Sequence, residues 1–169
     1  MSINLDLQSS YDKVADEYAR RIGGELAGKP ADRELLADIV RQASPLGPIC
    51  DLGCGPGHVT RFLHDAGAQT VLGMDLSPAM VAKAKALNSA IEFKVGDMTS
   101  LDVPSESWGG IVALYSIIHV PRTRLGKCFQ EMIDADRKRK TGQRKNDFGD
   151  LIIPVPDSKR DPCFDEGCE

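Results

Sequence analysis

The residues best suited to chemistry stand together at positions 49–58, Ile-Cys-Asp-Leu-Gly-Cys-Gly-Pro-Gly-His. A short apolar lead-in, Ile49, Cys50 and Leu52, breaks into alternating glycines and then into a helical pattern. That order reads as a buried strand, a tight turn and a helix N-terminus. Glycines at 53, 55 and 57 remove side chains where a ligand must approach main-chain N–H groups at the positive end of a helix. A dinucleotide fingerprint would place its third glycine at 58, where His58 stands. Asp51, two residues before the first glycine, would also face a doubly anionic pyrophosphate. The loop therefore suits a ligand with a cationic end better than NAD. Asp75 and Asp97 close two further apolar runs. Three carboxylates around one cleft repel one another unless a cation or several donors lie between them, which again favours a cationic ligand.

These groups need a scaffold, and the periodicity supplies one. Residues 70–75 read as a second strand ending on Asp75, placed so that its carboxylate accepts from ribose hydroxyls, as any adenosine cofactor requires. Ser77 followed by Pro78 reads as the cap and first turn of the next helix. Residues 91–95 form a third strand closed by Gly96-Asp97-Met98, and residues 110–115 a fourth, apolar enough for a parallel strand buried on both faces. Ser116-Ile117-Ile118-His119 leaves that strand at the cleft. His119, of a residue type whose ordinary pKa lies near neutrality, is the candidate general base.

The remaining segments read as helices. Ser9 or Ser10 is expected to cap a first helix with Tyr11, Val14, Ala15, Tyr18 and Ile22 at helical spacing, ended by Gly23-Gly24. Leu35, Leu36, Ile39 and Val40 mark a second over 30–42, and Ser44-Pro45-Leu46-Gly47-Pro48 turns it into the first strand. Val59, Phe62, Leu63 and Ala66 follow the glycine loop, and Leu125, Cys128, Phe129, Met132 and Ile133 trace a last apolar stripe. His58 and His64 have no partners at metal-ligand spacing, so no metal is expected.

At 169 residues, 41% hydrophobic and 27% charged, the chain is long enough for one buried core, and its net charge of −4 gives no electrostatic reason to expect nucleic acid. No apolar run reaches bilayer length and the first residues lack the order of a signal peptide, so no membrane partner is expected. Five scattered cysteines suit a reduced, cytoplasmic setting.

Asp51-Leu52-Gly53-Cys54-Gly55-Pro56-Gly57 resembles the first motif of the class I S-adenosylmethionine-dependent methyltransferases, in their small-molecule branch. The resemblance implies that Asp51 helps to hold the cofactor's ammonium while Gly53, Cys54 and Gly55 close on its methionine moiety. Tyr11 to Tyr18 is similar to the N-terminal helix that covers the cofactor, with both tyrosines as candidate contacts. Asp75-Leu76-Ser77-Pro78-Ala79-Met80 resembles the second region, which implies that Leu76 and Met80 flank the adenosine. Gly96-Asp97-Met98 resembles the third, with Asp97 at the adenine amino group and Met98 on the ring. Ser116 and His119 stand where the family often carries a small residue and then a histidine. The sequence departs from the pattern at Trp108-Gly109, where an aromatic-Asp pair usually introduces the fourth strand.

After Met132 the resemblance stops. A Lys-Pro-Gly-Gly turn and a hydrophobic fifth strand are expected; Asp134-Ala135-Asp136-Arg137-Lys138-Arg139-Lys140 stands there instead, and Leu151-Ile152-Ile153 is the one later stretch able to form a strand, confined by Pro154 and Pro156 to a sheet edge. The expected fold is α/β, a Rossmann-like class I methyltransferase sheet of order 3-2-1-4 with its distal strands missing or replaced. Residues 1–133 make the incomplete cofactor domain and 134–169 a polar, poorly ordered tail. The function implied is methyl transfer from S-adenosylmethionine to a small-molecule acceptor. A cofactor-binding but inactive module and, behind it, a nicotinamide oxidoreductase are the alternatives. An exposed edge on the fourth strand predicts self-association.

Overall fold

The computed structural model of the chain describes residues 3–136. Its centre is β1 (Ile49–Leu52), buried along its whole length. β2 (Val71–Asp75) pairs with β1 in parallel from Ile49↔Val71 to Leu52↔Met74, and β3 (Glu92–Val95) pairs in parallel with β2. On the other side of β1 lies β4 (Gly110–Val112), giving the expected order β3-β2-β1-β4.

Strand alternation divides the core in two, because successive side chains leave a strand on opposite faces. Ile49 packs on one face with Leu36, Val40 and Ala43 of α2 (Pro30–Ala43), Val59 and Leu63 of α3 (His58–Asp65), and Val81 and Ala84 of α4 (Pro78–Leu87). Cys50 and Leu52 face the other way, onto Cys128, Met132 and Ala135 of α5 (Arg122–Ala135) and the indole of Trp108. An all-parallel sheet covered on both faces is the arrangement that buries such uniformly apolar strands. α1 (Ile3–Ile22) lies against α4 at the end of the sheet where the strands terminate.

Phe93 of β3 ties the sheet to the glycine loop. It is almost completely buried, and side chains built on Gly57 and Gly73 would come within 2.8 Å and 2.5 Å of its ring. Both glycines therefore make room for one aromatic ring.

Two expectations need correction. Ser9 and Ser10 do not cap α1, which begins at Ile3. Nothing in residues 3–8 breaks a helix, and Ser10 Oγ instead donates 2.8 Å to the carbonyl of Asp6 one turn back. The fourth strand is also shorter than the apolar run 110–115. It stops at Val112 because its partner β1 ends: Gly53 turns away with φ 74° so that its N–H, and that of Cys54, reach the carbonyl of Met74. Residues 113–115 leave the ladder, and Tyr115 adopts a left-handed φ of 56°, which costs a non-glycine residue about 1–2 kcal/mol.

α5 runs past the end of its apolar stripe to Ala135. The carbonyls of Asp134 and Ala135 accept from the backbone N–H groups of Glu106 and Trp108, and Asp136 forms a parallel bridge with Trp108. Gly109 donates instead to Pro48 beside β1, so the neighbouring Trp108 N–H points to the opposite side of the strand and Asp136 arrives there. Of the expected tail 134–169, Asp134 and Ala135 belong to α5 and Asp136 to the bridge, while 137–169, with the edge segment Leu151-Ile152-Ile153, lie outside the described residues.

The crowding around Phe93 predicts that Gly73→Ala destabilises the fold by about 1–3 kcal/mol, the usual cost of forcing a methyl into a filled core. Denaturant unfolding of the two proteins measures it, and an unchanged midpoint would show that Phe93 moves aside freely.

Candidate functional site

A cleft opens where the strands end, lined by the loop after β1, the ends of β2 and β3, the segment after β4, and α1. Its floor is the glycine loop. Gly53 and Gly55 have φ of 74° and 51°, in the left-handed region that favours glycine. A side chain on Gly53 would fall 2.2 Å from Cβ of Ser116, so the loop and the segment leaving β4 are in closest contact there. Ser116 Oγ fastens the contact by donating 2.6 Å to the carbonyl of Leu52. Around Gly55, by contrast, the nearest atom to an added Cβ is on the Tyr18 ring at 3.7 Å.

Asp75 joins the two halves of the floor. One carboxylate oxygen accepts from Gly55 N–H at 2.8 Å and the other from Ser77 N–H at 2.8 Å. Burial raises its pKa, and the two backbone donors oppose that rise only in part. Ser77 caps α4 as expected, its Oγ accepting from Met80 N–H at 3.1 Å. Leu76 and the buried Met80 line the wall beside it.

Asp97 and Met98 line the cleft beyond β3. Asp97 Oδ1 accepts from both the backbone N–H and the hydroxyl of Thr99, at 2.8 and 2.7 Å, and Arg124 lies 3.6 Å from Oδ2. On the opposite bank Tyr11, Tyr18 and His119 gather. Tyr11 Oη lies 2.8 Å from His119 Nε2, and the Tyr11 ring meets Tyr18 edge-on with centroids 5.7 Å apart. Burial lowers the pKa of His119, opposed by the charge of Asp75.

Asp51 is placed elsewhere. It is 2% exposed, does not line the cleft, and accepts 2.6 Å from Thr60 Oγ1 on α3, behind the glycine loop. Burial pushes its pKa up to about 6 against the lowering effect of the Thr60 hydroxyl. Cys54 is likewise buried, under the loop, although part of it reaches the cleft wall.

Several residues of the site carried no signal in the sequence. Asp12 of α1 accepts from Ser77 Oγ and, at 3.1 Å, from Ala79 N–H, adding a second cap to α4 from another helix. Glu25, which lines the cleft, pairs with Lys29 and lies 3.7 Å from His58 Nε2, while Lys29 sits 4.2 Å above the Tyr115 ring. Tyr115 in turn donates 3.0 Å to Asp32, which holds its left-handed backbone in place. These partners are dozens of residues apart or lie on unpatterned turns, so only the folded chain brings them together.

A parallel sheet of this order, with a glycine loop after its first strand and a carboxylate at the end of its second, is the arrangement of a Rossmann-like adenosine-cofactor fold. Residues 49–138 match the family model described as "Methyltransferase domain", over more than half of the chain, and the chain belongs to that family. Among curated relatives it is 41% identical over 115 residues to trans-aconitate 2-methyltransferase of Escherichia coli O7:K1, an alignment covering 68% of this chain and 41% of that protein. It is 42% identical over 79 residues to the protein of the same name from Streptomyces avermitilis, covering 46% and 26%. The chain spans about a third of the length of these relatives. Of solved structures, an S-adenosylmethionine dependent methyltransferase from Mesorhizobium loti superposes with a TM-score of 0.53 at 28% identity, covering 64% of this chain and 50% of that one. Magnesium protoporphyrin IX methyltransferase from Synechocystis PCC 6803, solved with bound SAM, gives 0.62 at 19% identity over 80% and 73%, a likeness of fold.

The buried Asp51 predicts a pH-dependent stability difference. Its folded pKa, about 6, lies above its value in the unfolded chain, so the stability it contributes is complete below pH 4 and is lost as pH rises to about 6. Asp51→Asn removes that ionisation and keeps an acceptor for Thr60. The variant should gain on the parent by roughly 2–3 kcal/mol between pH 4 and 7. Thermal unfolding across that range measures the difference, which a constant offset would refute.

Proposed function

We propose that this chain holds S-adenosylmethionine in the cleft and directs its methyl group to a small-molecule acceptor. The observation that carries the reading is the meeting of Gly53, Gly55, Asp75 and Ser116 at one point of the floor. The residues suit the cofactor on their own chemistry. Asp75 offers a carboxylate for the ribose hydroxyls, and the loop around Gly55 leaves open backbone for the methionine end. Leu76, Met80 and Met98 offer an apolar slot for adenine beside Asp97. Three acidic side chains, Glu25, Asp75 and Asp97, line a cleft that would receive a cation. When bound, S-adenosylmethionine supplies an electrophilic methyl on a sulfonium.

The protein's own part is to orient and enclose. Tyr11 and Tyr18 cover the cleft from α1, which Asp12 pins to the N-terminus of α4. His119, its cation disfavoured by desolvation, stands beside Tyr11 as a base for the acceptor. Holding the acceptor in line is where most of the acceleration arises. Asp51 acts from behind the loop: its negative charge favours a cation in front of Gly53 without touching it.

A second reading rests on the sheet. Among the described residues the sheet ends at β4, with Asp136 bridging to Trp108 just before it, and an uncovered strand edge templates pairing with another chain. In that reading the chain binds the cofactor, self-associates through β4 and turns over little. No helix among the described residues is long and apolar enough to cross a membrane.

Calorimetry tests the first reading: S-adenosylmethionine should bind and NAD should not, and heat from NAD alone would overturn it. Asp75→Asn, losing a charged acceptor worth about 1.5–3 kcal/mol, should weaken binding about ten- to a hundredfold. An unchanged dissociation constant would take Asp75 out of the site. Release of S-adenosylhomocysteine by a monomer in sedimentation supports the enzyme; a dimer without turnover supports the second reading.

A further inference from the structure

We propose that the cleft recognises the cofactor's amino-acid end by its ammonium and not by its carboxylate, and that Glu25 is the side chain that receives the ammonium. The inference rests on the S-adenosylmethionine reading above and names the group of that ligand on which affinity depends.

A glycine loop before a helix is ordinarily a place where main-chain N–H groups meet an anion. Here those groups are committed inside the fold. The N–H groups of Gly53 and Cys54 both donate to the carbonyl of Met74, that of Gly55 to Asp75, and that of Gly57 to the carbonyl of Cys54, while Pro56 has none. The hydroxyls on the cleft walls are committed as well: Ser77 donates to Asp12, Thr99 to Asp97 and Ser116 to the carbonyl of Leu52. Among the described residues no lysine or arginine lines the cleft. A carboxylate brought to this surface gives up water and gains no cation in return, and a charge desolvated without a partner is costly.

The balance is reversed for an ammonium. Glu25 opens the short helical turn Glu25–Gly28 that follows α1, and it lines the cleft together with Tyr18, Gly55 and His58. Its two oxygens differ. Oε1 pairs with Lys29, which does not line the cleft, whereas Oε2 stands 3.7 Å from His58 Nε2, beyond hydrogen-bond length, and so keeps its capacity to accept from a ligand. His58, and after it Lys29, holds the Glu25 carboxyl below the usual carboxylate range against the opposing effect of burial. The other acidic groups are otherwise engaged. Asp51 is buried behind the loop with Thr60, and Asp75 and Asp97 stand at the ribose and adenine ends. Glu25 is the carboxylate that remains for the amino-acid end.

The experiment measures, by calorimetry on the full chain, the affinity of S-adenosylhomocysteine and of three thioadenosines that differ in their end group: aminopropyl, which keeps the ammonium; carboxypropyl, which keeps the carboxylate; and methyl, which keeps neither. If neither S-adenosylhomocysteine nor methylthioadenosine binds, the cofactor reading itself fails and this inference falls with it. With that reading intact, aminopropylthioadenosine should bind within about threefold of S-adenosylhomocysteine. Carboxypropylthioadenosine should bind at least about tenfold more weakly, no better than methylthioadenosine. Glu25→Gln should weaken S-adenosylhomocysteine and the aminopropyl probe about ten- to a hundredfold and leave methylthioadenosine within about twofold, a split that general damage to the cleft does not give. A carboxypropyl probe that binds the parent as tightly as the aminopropyl one would overturn the proposal without recourse to any variant. Equal weakening of all the probes in Glu25→Gln, or of none, would remove Glu25 from the role.

Discussion

One carboxylate holds the cleft in shape. Asp75 ends β2 and accepts from the backbone of the glycine loop on one side and from the first residue of the next helical cap on the other. Without that bridge the loop after β1 and the start of α4 would be separate turns. With it, the floor is a fixed array of main-chain donors around a half-buried negative charge. Burial makes that charge costly, as the raised pKa of Asp75 shows, and a raised pKa in a cleft marks a group kept for a ligand more often than for stability.

The rest of the fold serves this bridge. Parallel pairing of β1 with β2 brings Gly53 level with the carbonyl of Met74, and Phe93 fills the space that Gly57 and Gly73 leave beneath the loop. α1 closes the top, held at α4 by Asp12 and across the cleft by Tyr11. Loop, strand end and covering helix each contribute short-range contacts, yet the cleft exists only where all of them meet. A second carboxylate, the buried Asp51, stands behind the floor with Thr60 as its partner, so the loop lies in the field of two acidic groups.

Much of this was legible in the sequence because its signals are local. Alternating glycines after an apolar strand, Ser77 before Pro78, and an aspartate closing each of two strands specify their conformations within a few residues. The sheet order follows from the family resemblance and stands in the structure as expected. What the sequence concealed depends on neighbours. Residues 110–115 are apolar throughout, but a strand lasts only as long as its partner, and β1 ends at Leu52, one residue past the partner of Val112. Ser9 and Ser10 look like caps, yet helical residues precede them. Asp51 sits at a strand end like Asp75, and only the pleat decides that it turns toward Thr60 behind the loop. The contact of Tyr11 with His119 joins distant segments that no periodicity relates.

The central claim is that the floor between Gly53 and Asp75 is the cofactor site. A crystal structure of the full chain grown with saturating S-adenosylhomocysteine tests it most directly. The account predicts the ribose hydroxyls within hydrogen-bond distance of Asp75, the adenine against Met98 and Leu76, and the amino-acid end over Gly53 and Gly55. Ligand density at any other place on the chain, with this cleft empty, would contradict it.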